Sequence, residues 1–186
     1  MIVLVGKTCS GKDSIKQELI KRGKKSIVTY TTRSRREGEI QDVTYHFIDK
    51  NSFIKMKREK FFAETTSYLV ANNDIWYYGT ALEDLFNDTS NTVIIVNPDG
   101  LEKIRQIDGL DFTSFYIKSK NSVIKKRLKK RGDNRKEAKR RIKADNEDFK
   151  DIECMTDFTI ENNGSLSLED IADVILFLHD NRAKGE

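Results

Sequence analysis

With 37% hydrophobic and 34% charged residues, a chain of 186 residues can bury one sizeable core beneath an unusually charged surface, which excludes a disordered or fibrous polymer. A formal net charge of only +4 disfavours nucleic acid as a partner, and Cys9 and Cys154 lack the spacings of a disulfide framework. The absence of a leader-like segment or a long apolar run sets the expectation of a soluble, cytoplasmic protein that does not cross a membrane.

Met1 to Val5 is a continuous apolar run that stops at a glycine, which predicts a strand buried on both faces. The next residues meet the phosphate-loop pattern at Gly6, Gly11 and Lys12, but Asp13 stands at the last position and the first hydroxyl follows at Ser14. Ile15, Leu19 and Ile20 then recur at helical spacing, predicting a helix over Ser14 to Arg22. From Lys25 to Gly79 the texture changes to "IVTYTTR", "VTYHFI" and a helical patch from Asn51 to Arg58, which reads as an inserted antiparallel subdomain. Thr92 to Val96 predicts a strand that ends before the only proline, Pro98, with a helix over Leu101 to Ile107 beyond it. Phe112 to Ile117 and Phe158 to Ile160 predict two further strands. Helices are predicted over Ser122 to Arg131, ended by Gly132, over Arg135 to Phe149, and over Leu168 to His179, with a fraying tail after Asn181. Such alternation implies an α/β fold with a parallel sheet.

Glycines in the loop let backbone N–H groups face phosphate oxygens, while the following helix and Lys12 add positive charge. The inserted segment holds Arg33, Arg35 and Arg36 together with Tyr45, Tyr77 and Tyr78. Guanidinium forks beside phenols suit a phosphate monoester, although a charged β-turn with ordinary sheet tyrosines has the same composition. The basic run from Ile124 to Lys143 faces either an anion or solvent.

The loop, "TYTTRSRREGEIQDVTYHF", "FFAET", "WYYGT", "KKRLKKRG" and "FTIENN", in this order, resemble the guanylate kinase family from Met1 to about Leu178. The resemblance implies a P-loop type parallel sheet flanked by helices. It divides the chain into a core (1–29, 81–125 and 150–181), a monophosphate-binding subdomain (30–80) and a lid at about 126–149. It further implies a phosphotransferase that moves the γ-phosphoryl of ATP to GMP or dGMP with Mg2+, as a monomer or homodimer. By position, Gly6, Thr8, Cys9, Ser10, Gly11, Lys12, Asp13, Ser14 and Asn162 would bind ATP, with Asp13 and Ser14 at the metal. Lys12, Arg127, Arg131 and Arg141 would act on the transferring phosphoryl group. Arg33, Arg36, Tyr45 and Tyr78 would hold the acceptor's phosphate, with Tyr30 where the family usually has serine. Glu64 and Thr80 would read the guanine edge, and Asn97 joins the acceptor set at a position usually held by an acid.

The family loop reads Gly-Pro-Ser-Gly-Ala-Gly-Lys-Ser-Thr, so Cys9 replaces a glycine and Asp13 the metal-binding serine. Asp13 either holds Mg2+ or caps the helix dipole while Ser14 binds phosphate, an order that resembles the adenylate kinase loop. The family's Asp-x-Asp becomes Ile95, Val96, Asn97; Asp13 is expected to compensate the lost charge, with help from Asp99 if the chain stays extended through Pro98. "YLVANNDIW" lengthens the path from Glu64 to Tyr78, and Cys9 is either an acidified thiol at a helix terminus or a buried one. Another phosphorylated acceptor, or a non-catalytic module that binds phosphorylated protein segments, stands as the alternative.

Overall fold

The computed structural model describes residues 1–70, 74–87 and 89–182. The chain packs as two compact units, one of Met1–Ser26, Ser90–Pro98 and Phe112 onward, the other of Ile27–Thr89 and Asp99–Asp111. Residues 27–29, 81–87, 89 and 99–111, expected in the core, pack with the second unit.

In the first unit the apolar runs become a five-stranded sheet in the order β2 (Lys25–Ser26), β7 (Thr92–Val96), β1 (Ile2–Val5), β8 (Thr113–Lys118), β9 (Phe158–Glu161), every pairing parallel. β1 is central, with Ile2 opposite Val93 on one side and Thr113 on the other, so its four side chains are all buried. That is why the run reads as continuous rather than alternating. α1 (Lys12–Lys21) and α8 (Leu168–Arg182) pack Ile15, Leu19, Ile171 and Ile175 into one core with Ile2, Leu4, Phe115 and Ile117. α5 (Asn121–Arg131) ends at Gly132 in the left-handed region, φ +84°. α6 (Arg135–Asp148) starts at Asn134, whose side chain accepts from the N–H of Lys136 and Glu137. These two helices share the small cluster Ile124, Leu128 and Ile142, on which Cys9 and Ala138 also pack. A short α7 (Ile152–Met155) leads into β9. Among the described residues no helix is long and apolar enough to cross a membrane. α8 runs to Arg182; the rest of the tail expected to fray lies outside the described residues.

The second unit is built on a four-stranded sheet, β4 (His46–Phe47), β3 (Tyr30–Thr31), β6 (Ile75–Ala81), β5 (Phe62–Leu69). β5 and β6 form an antiparallel hairpin whose residues 71–73, in the "YLVANNDIW" stretch, lie outside the described ones. The sheet is mixed rather than antiparallel, because β3 pairs with β4 in parallel. α2 (Lys50–Arg58), begun by the Asp49 side chain accepting from Ser52 N–H, buries Phe53 against Phe62 at 4.5 Å and Tyr77 at 5.4 Å between ring centroids. Gly79 belongs there, since a Cβ would stand 2.9 Å from the Phe62 ring. α3 (Leu82–Phe86) follows β6.

α4 (Pro98–Arg105) departs from expectation: the chain is helical from Pro98 instead of extended through it. A proline has no N–H to lose at a first helical position and its φ is already helical, so it starts this helix. Asp99 therefore sits in the first turn of α4, where it accepts from Lys103 Nζ at 2.6 Å.

Candidate nucleotide sites

At the end of β1 the chain turns through Gly6 to Gly11 and enters α1 at Lys12, two residues earlier than predicted. Cys9 and Gly11 take positive φ, +53° and +103°. Gly11 is required twice over, because a Cβ there would collide with the Asn162 amide nitrogen. A Cβ at Gly6 would stand 2.7 Å from Ser10 Oγ, which is buried without a hydrogen-bond partner, so the Ser10 side chain fills the inner side of the turn.

The outer carbonyls of the loop are clasped from behind. Arg127 Nη1 donates to Cys9 O at 3.2 Å, Ser10 O at 3.1 Å and Ser119 Oγ at 3.3 Å, while Nη2 donates to Asn162 O and Oδ1 at 3.2 and 3.1 Å. Asn162 Nδ2 and Ser119 Oγ also donate to Ser10 O, at 2.9 and 3.2 Å. With its carbonyls held there, the loop is set to present N–H groups to an anion. Arg127 and Asn162 thus both serve the loop in this conformation.

Lys12 Nζ donates to Gly6 O at 2.5 Å and Lys7 O at 2.9 Å. Burial pulls its ammonium below the usual lysine range, opposed by the nearby charges of Asp13 and Asp145. Asp13 and Ser14 are exposed on the first turn of α1. Cys9 is not acidified: desolvation pushes its thiol up, outweighing Arg131, Lys12 and Arg127. Cys9, Lys12, Asp13 and Ser14, with Arg127, Arg131, Asn162 and the start of α8, line a cleft of about 630 Å³.

Arg131 is tethered by an acid of the turn that follows α5, and Arg141 by an acid of its own helix. Arg131 grips Asp133 through Nε and Nη2 at 2.5 and 2.7 Å, and Arg141 Nε donates to Glu137 Oε1 at 2.8 Å. Glu137, hydrogen-bonded first by Arg140 and then by Arg141, is held down at about 2. From α6, Asp145 Oδ2 accepts from the Thr8 N–H at 2.6 Å, and Asn146 Oδ1 accepts from Lys7 Nζ at 2.6 Å. The donor set offered by Asp13 and Ser14, a carboxylate and a hydroxyl, is all oxygen and fits a hard divalent cation such as Mg2+ that takes its remaining ligands from phosphates and water.

In the second unit, strand alternation sorts the acceptor residues by face. Thr31, Tyr78 and Thr80 point one way, and Glu64 lies opposite Thr80 in the hairpin. Thr80 Oγ1 donates to Glu64 Oε1 at 2.7 Å. Both side chains are buried, and desolvation raises the Glu64 carboxyl above the usual glutamate range, opposed by Thr80 and Lys103 and reinforced by Asp99. The Tyr45 and Tyr78 rings approach to 6.2 Å, and the Arg33 guanidinium lies 5.4 Å from the Tyr45 centroid. Arg33 is buried and forked on Glu39, at 2.8 and 2.7 Å; Glu39 also accepts from the Arg36 N–H at 2.7 Å. Tyr30 is turned away: its ring lies tilted against His46, 4.4 Å between centroids, and meets Phe61 and Phe62 on the α2 side, as Tyr77 meets Phe53. Asn97, after β7, belongs to the first unit.

Sequence reasoning passed over Asp145, Ser119 and Glu39. Glu39 carried a signal, as one of the two acids in the "RREGE" turn that follows Arg33; Asp145 carried none, lying 137 residues from its partner.

The guanylate kinase family profile matches residues 1–176. A guanylate kinase of Carboxydothermus hydrogenoformans is 30% identical over 142 residues, 74% of this chain and 67% of that protein. One from Trichormus variabilis is 29% identical over 87% of this chain and 80% of its own length. The crystal structure of guanylate kinase from Anaplasma phagocytophilum shares the fold with a TM-score of 0.74 at 20% identity, over 99% of this chain and 85% of that one. A phosphate loop at the central strand and a profile match over nearly the whole length agree: the chain belongs to the guanylate kinase family of nucleotide kinases.

Proposed function

We propose that the protein transfers the γ-phosphoryl group of ATP to GMP or dGMP, giving ADP and the nucleoside diphosphate. The observation that carries this reading is the buried Glu64–Thr80 pair. One Glu64 oxygen is occupied by the Thr80 hydroxyl, and the remaining lone pairs suit two adjacent N–H donors, which guanine offers at its edge and adenine does not. Tyr78, Tyr45 and Arg33 cluster on the same side of the hairpin unit and suit the monophosphate, with Arg36 completing the basic turn.

On the donor side, the loop N–H groups, the α1 terminus and Lys12 would hold the triphosphate in the cleft that reaches Asn162. Phosphoryl transfer asks chiefly for positioning and charge neutralisation, which Lys12, Arg131 and Arg141 supply once the arginines leave Asp133 and Glu137. Asp13 and Ser14 would hold Mg2+, which when bound would supply positive charge against that of the triphosphate. Asn97 in place of an acid favours, as the second reading, the same chemistry on another nucleoside monophosphate.

A coupled assay of ADP release with ATP and Mg2+ against GMP, dGMP, AMP, CMP, UMP and dTMP tests this. Turnover confined to GMP and dGMP is expected. Turnover of a different acceptor moves the specificity to the second reading, and GMP binding without turnover replaces the enzyme by a binding module.

A further inference from the structure

The phosphate loop and α6 are joined by consecutive contacts. Lys7 Nζ reaches Asn146 at 2.6 Å, Thr8 N–H reaches Asp145 at 2.6 Å, and Cys9 packs on the apolar cluster that α5 and α6 share. The middle contact is chemically odd. A carboxylate takes a backbone N–H of the loop whose N–H groups serve to bind phosphate, and it does so within electrostatic reach of Lys12. At 2.6 Å a carboxyl oxygen of Asp145 sits directly on a backbone N–H of a loop read here as anion-binding.

We infer that Asp145 is an internal competitor of the donor's phosphates, a built-in anion that latches α6 onto the loop and sets donor affinity. The inference rests on the reading of the loop as the ATP site. A triphosphate entering the loop brings a like charge toward a carboxylate already there, and two anions a few ångströms apart cannot share one N–H. Donor binding therefore requires Asp145 to swing off Thr8, and with it the C-terminal half of α6 to part from Lys7. Burial and the nearby Asp148 push the Asp145 carboxyl up, opposed by Thr8 N–H, Lys12 and Lys7.

Calorimetric titration of the full-length protein with ATP, tripolyphosphate and AMP, without any acceptor, tests the latch in wild type, Asp145→Asn and Asp145→Ala. The asparagine keeps the shape and an oxygen for Thr8 N–H while removing the charge. Both variants should bind ATP and tripolyphosphate about tenfold more tightly, a modest fraction of the repulsion between close charges, with AMP affinity unchanged. Unchanged or weaker ATP binding in a folded Asp145→Asn would overturn the inference and make Asp145 a brace of the loop. Equal tightening for AMP would overturn it too, by removing the dependence on the distal phosphates. If neither wild type nor variant binds ATP, the donor reading itself fails and the latch falls with it.

Discussion

Single side chains in the two sites are held by burial as much as by charge. In the role proposed for it Glu64 would have to be ionised to accept from guanine, yet burial raises its carboxyl above the usual glutamate range. A carboxyl raised on folding stabilises the protein at acid pH and loses that contribution as pH rises through the folded value. Glu64→Gln should therefore raise the melting temperature at neutral pH and not below about pH 4.5, the ordinary glutamate value. In the acceptor assay the same change should raise KM for GMP by about 100-fold or more. Wild-type affinity for GMP should fall as pH drops through the raised value, which binding titrations across that range would register. Asp13 is the opposite case, an exposed acid on the first turn of α1. Asp13→Ser should weaken the apparent affinity for Mg2+ in the kinase assay by about tenfold, on the order of one ligand contact; an unchanged Mg2+ dependence would remove Asp13 from the metal. At Gly11, alanine would meet both a left-handed backbone and the Asn162 amide. Strain of about 1–3 kcal/mol and loss of ATP binding are expected, read by thermal melts and calorimetry.

Elements were legible where one local signal sufficed. β1, the loop and α1 follow from an apolar run, two glycines and a helical repeat within a few turns of chain, and only the start of α1 moved, to Lys12. Gly132 announced the end of α5 and occupies the left-handed cap. Because a Cβ there meets nothing, Gly132→Ala isolates the backbone term and should cost about 1 kcal/mol in a denaturant titration. Pro98 misled because proline both ends and begins helices, and only the packing of α4 decides which. β3 and β4, two residues each, carry too little alternation to say which face Tyr30 takes. In α6, Glu137 is ionised well below its ordinary value by Arg140 and Arg141. A depressed carboxyl stabilises above its unfolded pKa and loses that contribution as pH falls toward about 2, so the melting difference between wild type and Glu137→Gln should shrink from about pH 4.5 downward. At neutral pH that difference should correspond to about 1 kcal/mol, since the pair is partly solvated.

At the scale of the molecule, each nucleotide is assigned to a different compact unit, the donor to the phosphate loop and the acceptor base to Glu64 and Thr80. Hydrogen exchange should accordingly slow in α1 and the Gly6–Gly11 turn with ATP, and in β5 and β6 with GMP. Protection of one region by both ligands alone would count against that assignment. The division itself was only half legible, because residues 99–111 join the second unit through tertiary packing that no window of sequence displays. β1 leaves the ribosome first, but its two hydrogen-bonding neighbours are β7 and β8, and the loop's clasp waits for Arg127 and Asn162. A nascent chain holding Gly6, Gly11 and Lys12 but ending before β9 has the motif without its backing, so a donor bound at the loop, as proposed, cannot act as a folding ligand until β9 has been made.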